Sequence, residues 1–123
     1  MEQHVDPLVG KRVLIVEDEA LVALEHRASL AEAGAKVVAT CATIADALEC
    51  LDNAKVDVAV VDFVLADSNS EPLQAVLKRR RIPFLVVSAY PRALVRTDPD
   101  QVVLRKPVAP EHLRNRVRAV CAA

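Results

Sequence analysis

The chain has no tryptophan, one tyrosine, two phenylalanines and only two glycines in 123 residues. Phe63, Phe84 and Tyr90 make a thin aromatic set, too poor to stack the bases of a single-stranded nucleic acid. With only Gly10 and Gly34, there is no glycine-rich loop to cradle a nucleotide phosphate. Sixteen basic residues face 17 acidic ones, and the net charge of −1 gives no global field for a polyanion. No stretch of membrane-spanning length is free of charge. Residues 1–11 include Glu2 and Asp6 and lack the apolar core of a secretory signal. The three cysteines, Cys41, Cys50 and Cys121, show no C-x-x-C spacing. An odd count without a signal predicts reduced thiols in a cytoplasmic protein. His4, His26 and His112 are scattered; they read as surface residues and suggest no histidine metal site.

What is present is apolar residues, 53% of the chain, enough for the core of one domain and not two. Residues 1–10 read as a flexible leader ended by Pro7 and Gly10, and residues 11–123 as the domain. Residues 11–16 form a first strand. A helix follows over residues 19–33, with Leu21, Leu24, Ala28 and Ala31 at helical spacing and Gly34 as its stop. Residues 36–40 form a second strand. Thr43 caps a second helix, which runs to Asn53, with Asp46 three residues on. Residues 57–62 form a third strand, and residues 63–69 a loop. Ser70, Glu71 and Pro72 supply a capping hydroxyl, an acid at the positive end of the dipole and a first-turn proline for a helix ending near Arg81. A fourth strand spans residues 83–87. The irregular stretch 89–101, with Pro91 and Pro99, leaves room only for a shortened fourth helix. Residues 102–105 form a fifth strand. A last helix opens at Pro110 with Leu113, Val117, Val120 and Cys121 on one face.

Five β-α repeats imply an α/β fold, a doubly wound parallel sheet with helices on both faces. In such sheets ligands bind outside the carboxyl ends of the strands. Two apolar strands end there in acids: Val13, Leu14, Ile15 and Val16 lead into Glu17, Asp18 and Glu19, and the third strand closes on Asp62. Ser88 and Lys106 follow the fourth and fifth strands. Crowded carboxylates in a low-dielectric rim repel one another, so a cation is needed to hold them ionised. Phosphoryl transfer to a carboxylate needs a nucleophilic oxygen, a divalent cation, a hydrogen-bond donor and a fixed positive charge. Asp62 can supply the first. Glu17 and Asp18 can hold Mg2+, a hard cation that takes oxygen ligands. Ser88 and Lys106 supply the last two.

This ordered set resembles the receiver domain of two-component response regulators, the CheY-like family. It consists of Val13 to Glu19, Val58 to Asp62, Val86-Val87-Ser88-Ala89 and Arg105-Lys106-Pro107. The likeness runs from Lys11 to about Val120. It implies a flavodoxin-like five-stranded sheet of order 2-1-3-4-5. It implies that Asp62 accepts a phosphoryl group from a phosphohistidine on a histidine kinase or a histidine phosphotransfer protein. Glu17, Asp18, Asp62 and the main-chain carbonyl of Val64 would ligate Mg2+. Ser88 and Lys106 would bind the phosphoryl group, and Lys106-Pro107 would be a cis peptide. The chain would catalyse only its own phosphorylation and dephosphorylation. Receivers often carry an aromatic switch residue where this chain has Val103. Tyr90, two after Ser88, is evenly balanced between that role and half-buried packing. The run Val86 to Tyr90 is similar in part to the Phe-Ala-Thr-Gly-Tyr stretch of stand-alone receivers. With nothing after the last helix, a stand-alone receiver is expected to act on a downstream protein target in the cytoplasm, without contact to nucleic acid or membrane. A homodimer stays open.

Blander readings exist for each residue. The acids at 17–19 also suit a helix N-terminus, Ser88 could be a cap, and Lys106 a structural ion pair. Arg79, Arg80 and Arg81 read as a solvated helix end. Arg114, Arg116 and Arg118 read as the wet side of the last helix, with an acidic partner as the alternative. Two other functions are weighed: a receiver-like binding module that is never phosphorylated, and a haloacid-dehalogenase-type phosphatase. The latter wants a second acid two residues after its nucleophile, where this chain has Val64.

Overall fold

The computed structural model describes residues 5–66 and 68–122, so the expected leader's first four residues, His4 among them, lie outside it. The elements run β1 (Arg12–Val16), α1 (Ala20–Glu32), β2 (Lys36–Cys41), α2 (Ile44–Asn53), β3 (Val58–Asp62), β4 (Val64–Leu65), β5 (Ser68–Asn69), α3 (Glu71–Arg79), β6 (Phe84–Ser88), β7 (Val103–Arg105) and α4 (Pro110–Ala122), with a 3-10 turn at Arg92–Leu94 between β6 and β7. Five strands form one parallel sheet in the order β2-β1-β3-β6-β7. With the β4–β5 hairpin set aside, that is the expected 2-1-3-4-5 order. The expected fourth helix is reduced to the 3-10 turn.

Every residue of β3 and β6 is buried, as strands covered on both faces must be. Alternation along the strands then divides the core. Leu14, Val16, Ala59, Val61 and Val86 pack with Ala47 and Leu51 of α2 and Leu73 and Leu77 of α3. Val13, Ile15, Val58, Val60, Leu85 and Val87 pack with Leu30 of α1 and Leu113 and Val117 of α4.

Four expectations need correction. First, α1 buries Ala23, His26, Ser29 and Leu30, whereas Leu21 and Leu24 stand 75% and 61% exposed. The helix is apolar on two sides, and docking against the sheet and α4 chose between them. His26 is therefore an interior residue, 4% exposed, and not a surface histidine.

Second, the second half of the expected leader is docked. Leu8 is fully buried, and Asp6 holds the Arg118 guanidinium at both carboxylate oxygens, 3.0 and 2.5 Å away. Arg118 thus meets an acid within its own chain.

Third, residues 63–69 are not a simple loop, because Val64 pairs antiparallel with Asn69 and Leu65 with Ser68. Fourth, Ser70 does not cap α3 with its side chain. Asn69 does so from the preceding position, its Oδ1 accepting from the Glu71 N–H at 2.9 Å. Thr43 caps α2 as expected, accepting from the Asp46 N–H at 3.1 Å.

Candidate functional site

Strand register assembles the site. Val16 lies beside Val61, Asp62 beside Val87, and Ser88 beside Arg105. Glu17, Asp62, Ser88 and Lys106 are consequently neighbours along one rim, although 89 positions separate the first from the last. Backbone bonds extend each strand by one residue and fix these positions. The Glu17 N–H donates to the Cys41 carbonyl at 2.8 Å, Phe63 to Val87 at 2.8 Å, and Lys106 to Ser88 at 2.8 Å.

The acids gather as expected. Glu17, Asp18 and Asp62 each bring a carboxylate oxygen within 4.8 Å of the other two. Lys106 faces them, its Nζ 2.8 Å from Asp62 Oδ2 and 2.5 Å from Glu17 Oε1. Glu17 and Asp62 are both buried, with Asp18 the most solvent-accessible of the three acids. Burial pushes the Glu17 carboxyl above its ordinary range; its hydrogen bond with Asp62 adds to this, and Lys106 opposes it. For Lys106, burial disfavours the ammonium, but its bonds to Asp62 and Glu17 outweigh that and raise its pKa.

One ammonium is thus shared between two buried acids. Glu17 Oε1 sits at ion-pair distance with no donor aligned to it. A desolvated oxygen whose ammonium is shared with a second acid, beside two other carboxylates, suits a hard divalent cation. The residues fit Mg2+, with Glu17, Asp18 and Asp62 supplying side-chain oxygens. Val64 lines the same cavity of about 260 Å³ as Asp18, Asp62, Ala89, Tyr90 and Lys106.

Ser88 is buried, and its hydroxyl is engaged locally. Its Oγ accepts from the Tyr90 N–H at 2.9 Å and donates to the Tyr90 carbonyl at 3.2 Å. To bind a phosphoryl oxygen it must give up the Tyr90 carbonyl. Tyr90 itself is 50% exposed. Lys106-Pro107 is cis.

A receiver-domain family model of response regulators matches residues 13–118. The chain belongs to the response-regulator receiver family. No curated protein matches the sequence. Among solved structures, this receiver is similar to the response regulator PhyR from Brucella abortus, at 25% identity and a TM-score of 0.84 over 96% of this chain and 50% of that one. It is likewise similar to SdrG from Sphingomonas melonis Fr1, at 27% identity and TM-score 0.76 over 93% and 98% of the two chains. A CheY-like receiver from Methanospirillum hungatei JF-1 shares the fold, at 24% identity and TM-score 0.77 over 92% and 94%. The receiver spans about half the length of the PhyR proteins it matches.

Two features had no clear sequence signal. His26 is a buried histidine whose Nδ1 has no partner among the described residues, and burial lowers its pKa. It lines a second cavity with Lys106, Pro107 and Ala89. Gln74 and Thr97 form a partly buried polar contact. No local pattern marks them, because the surroundings of His26 and the partner of Gln74 come from distant segments.

Proposed function

We propose that this receiver is a phosphoacceptor switch of a two-component or phosphorelay pathway, with Asp62 as the acceptor. The observation that carries this reading is Lys106 Nζ at 2.8 Å from Asp62, within a three-carboxylate group able to hold Mg2+. An Asp62 carboxylate oxygen attacks the phosphorus of a phosphohistidine on a histidine kinase or histidine phosphotransfer protein. The P–N bond breaks, the imidazole leaves with the bonding pair, and an acyl phosphate forms on Asp62. Glu17, Asp18, Asp62 and the Val64 carbonyl would hold Mg2+, which would neutralise phosphoryl charge. Lys106 shifts from the carboxylates toward the phosphoryl group, and Ser88 turns its hydroxyl from Tyr90 to a phosphoryl oxygen. The chain turns over no other substrate; its activity is its own phosphorylation and dephosphorylation.

The new charge biases the surface around residues 89–101, and a downstream protein target reads that surface. Among the described residues no helix is long and apolar enough to cross a membrane, and action in the cytoplasm is part of the same proposal. PhyR from Bartonella quintana is an anti-anti-sigma factor; a target of that protein-binding kind fits a switch that acts through docking.

Phosphoryl transfer from phosphorylated candidate kinases tests the reading. The expected result is rapid, Mg2+-dependent transfer to the wild type and none to Asp62→Asn. Equal transfer to both would remove Asp62 from the role.

A further inference from the structure

Residues 89–101, followed by Val102, link β6 to β7 and hold a single 3-10 turn. Thirteen nearly structureless residues are uncommon in a compact domain and usually functional. Side chains rather than regular structure fasten this strap: at its ends Arg105 Nε donates to the Ala89 carbonyl at 3.0 Å and Gln101 Nε2 to the Phe84 carbonyl at 2.8 Å, and three further anchors hold its middle. Val95 is buried in the core on the α2–α3 side. Asp98 pairs with Lys78 of α3. The Thr97 hydroxyl donates to Gln74 Oε1 at 2.8 Å.

The third anchor leads to the phosphoacceptor. Gln74 is buried, and its Nε2 donates to Ser70 Oγ at 3.2 Å. Ser70 is fully buried, and its N–H donates to the carbonyl of Phe63, next to Asp62, at 2.8 Å. Phe63 in turn donates from its N–H to the carbonyl of Val87, next to Ser88. The strap is therefore tied to the acceptor layer at both ends, through Ser88–Tyr90 at its start and through Thr97–Gln74–Ser70–Phe63 near its finish. Hydrogen bonds linked in a chain polarise and strengthen one another, so loss of one weakens the rest.

We propose that the Ser70–Gln74–Thr97 chain is the pin that holds the strap closed on α3, and that phosphorylation of Asp62 releases it. The proposal rests on the phosphoacceptor reading for its trigger. When Ser88 leaves the Tyr90 carbonyl, the start of the strap loses its anchor. Displacement of Phe63 beside the modified Asp62 disturbs the Ser70 end of the chain. The pin then sets how readily the strap opens for a partner.

Amide hydrogen exchange across residues 92–98, read by mass spectrometry on the full chain, tests this with Thr97→Val and Thr97→Ser. Val keeps the shape of threonine without its hydroxyl, and Ser keeps the hydroxyl. The unmodified Val variant should exchange this segment at least about fivefold faster than wild type, as expected for one lost hydrogen bond, with Ser close to wild type. Beryllofluoride with Mg2+ should raise wild-type exchange toward the Val level and change the Val variant little. Binding of the analogue is followed separately by fluorine NMR. Unchanged exchange in the unmodified Val variant overturns the pin. Bound analogue with unaltered wild-type exchange overturns the release step. No bound analogue at all overturns the phosphoacceptor reading and the release step with it, and the unmodified Val variant still decides the pin.

Discussion

The acid rim and the strap lie at the same edge of the sheet and are held in opposite ways. Glu17, Asp62 and Lys106 follow strands whose register is locked by main-chain bonds. The middle of the strap hangs on one apolar side chain, one exposed ion pair and one hydroxyl–amide bond, and its ends on side-chain bonds from Ser88, Gln101 and Arg105. The same contrast separates the two faces of the sheet. On one, α1 and α4 pack together over the strands, and the docked leader is pinned to α4 through Asp6 and Arg118. On the other, α2 and α3 are followed by a turn where the repeat pattern calls for a helix. The difference teaches where rigidity was needed. Chemistry demands fixed distances among four groups, whereas signalling demands a segment that can be displaced at modest cost.

The sharpest break of this comparison is a matched pair of core truncations. Leu113→Ala, on the α1–α4 face, should cost about 2–5 kcal/mol in urea unfolding. Val95→Ala, in the strap, should cost about 1–2 kcal/mol. Equal losses would mean the strap is as integral as the helices.

Next in size, Lys106→Met strips the shared ammonium from two buried acids and should cost about 2–4 kcal/mol near neutral pH. Because burial already raises the Glu17 pKa, removing Lys106 raises it further. A raised acid favours the folded state at low pH and loses that contribution as pH rises through its folded value. The deficit should therefore shrink on acidification, where Glu17 is protonated in both proteins. A deficit that grows in acid contradicts the shared-ammonium account.

A smaller effect comes from Asp6→Asn. The Arg118 bond, helped by the Leu8 N–H, holds the Asp6 carboxyl down to about 2. A depressed acid stabilises the fold above its unfolded pKa and loses this as pH falls through the folded one. The variant should melt below wild type at neutral pH, with the gap closing between about pH 4 and pH 2. Smallest of all, Leu24→Gln on the exposed side of α1 should change stability by less than about 0.5 kcal/mol; a larger loss would mean this side of α1 is covered.

Much of this was legible in the sequence because strand-end acids are unusual. A charge closing an apolar run marks a strand terminus, as at Glu17, Asp62 and Lys106, and five strand ends in βα order fix the rim at which these meet. Glu17, Asp18, Asp62 and Lys106 were therefore readable before any fold was known. The α1 orientation was not. Leu21-Leu24-Ala28-Ala31 and Ala23-His26-Leu30 both have helical spacing, and only docking against α4 and the sheet decides between them. Nor was the α3 start fully readable. Asn69 and Ser70 can both cap, and the hairpin put Asn69 at the helix end while Ser70 turned inward to Gln74. The pin escaped notice because its members are 23 positions apart and none is unusual alone.

The account stands on Asp62 being the nucleophile of a Mg2+-loaded acid cup opposite Lys106. Intact-mass analysis after incubation with acetyl phosphate tests it directly. The expected result is a gain of one phosphoryl group in wild type with Mg2+, abolished by chelation and by Asp62→Asn. A gain that survives both treatments, or none in wild type with Mg2+, contradicts the account.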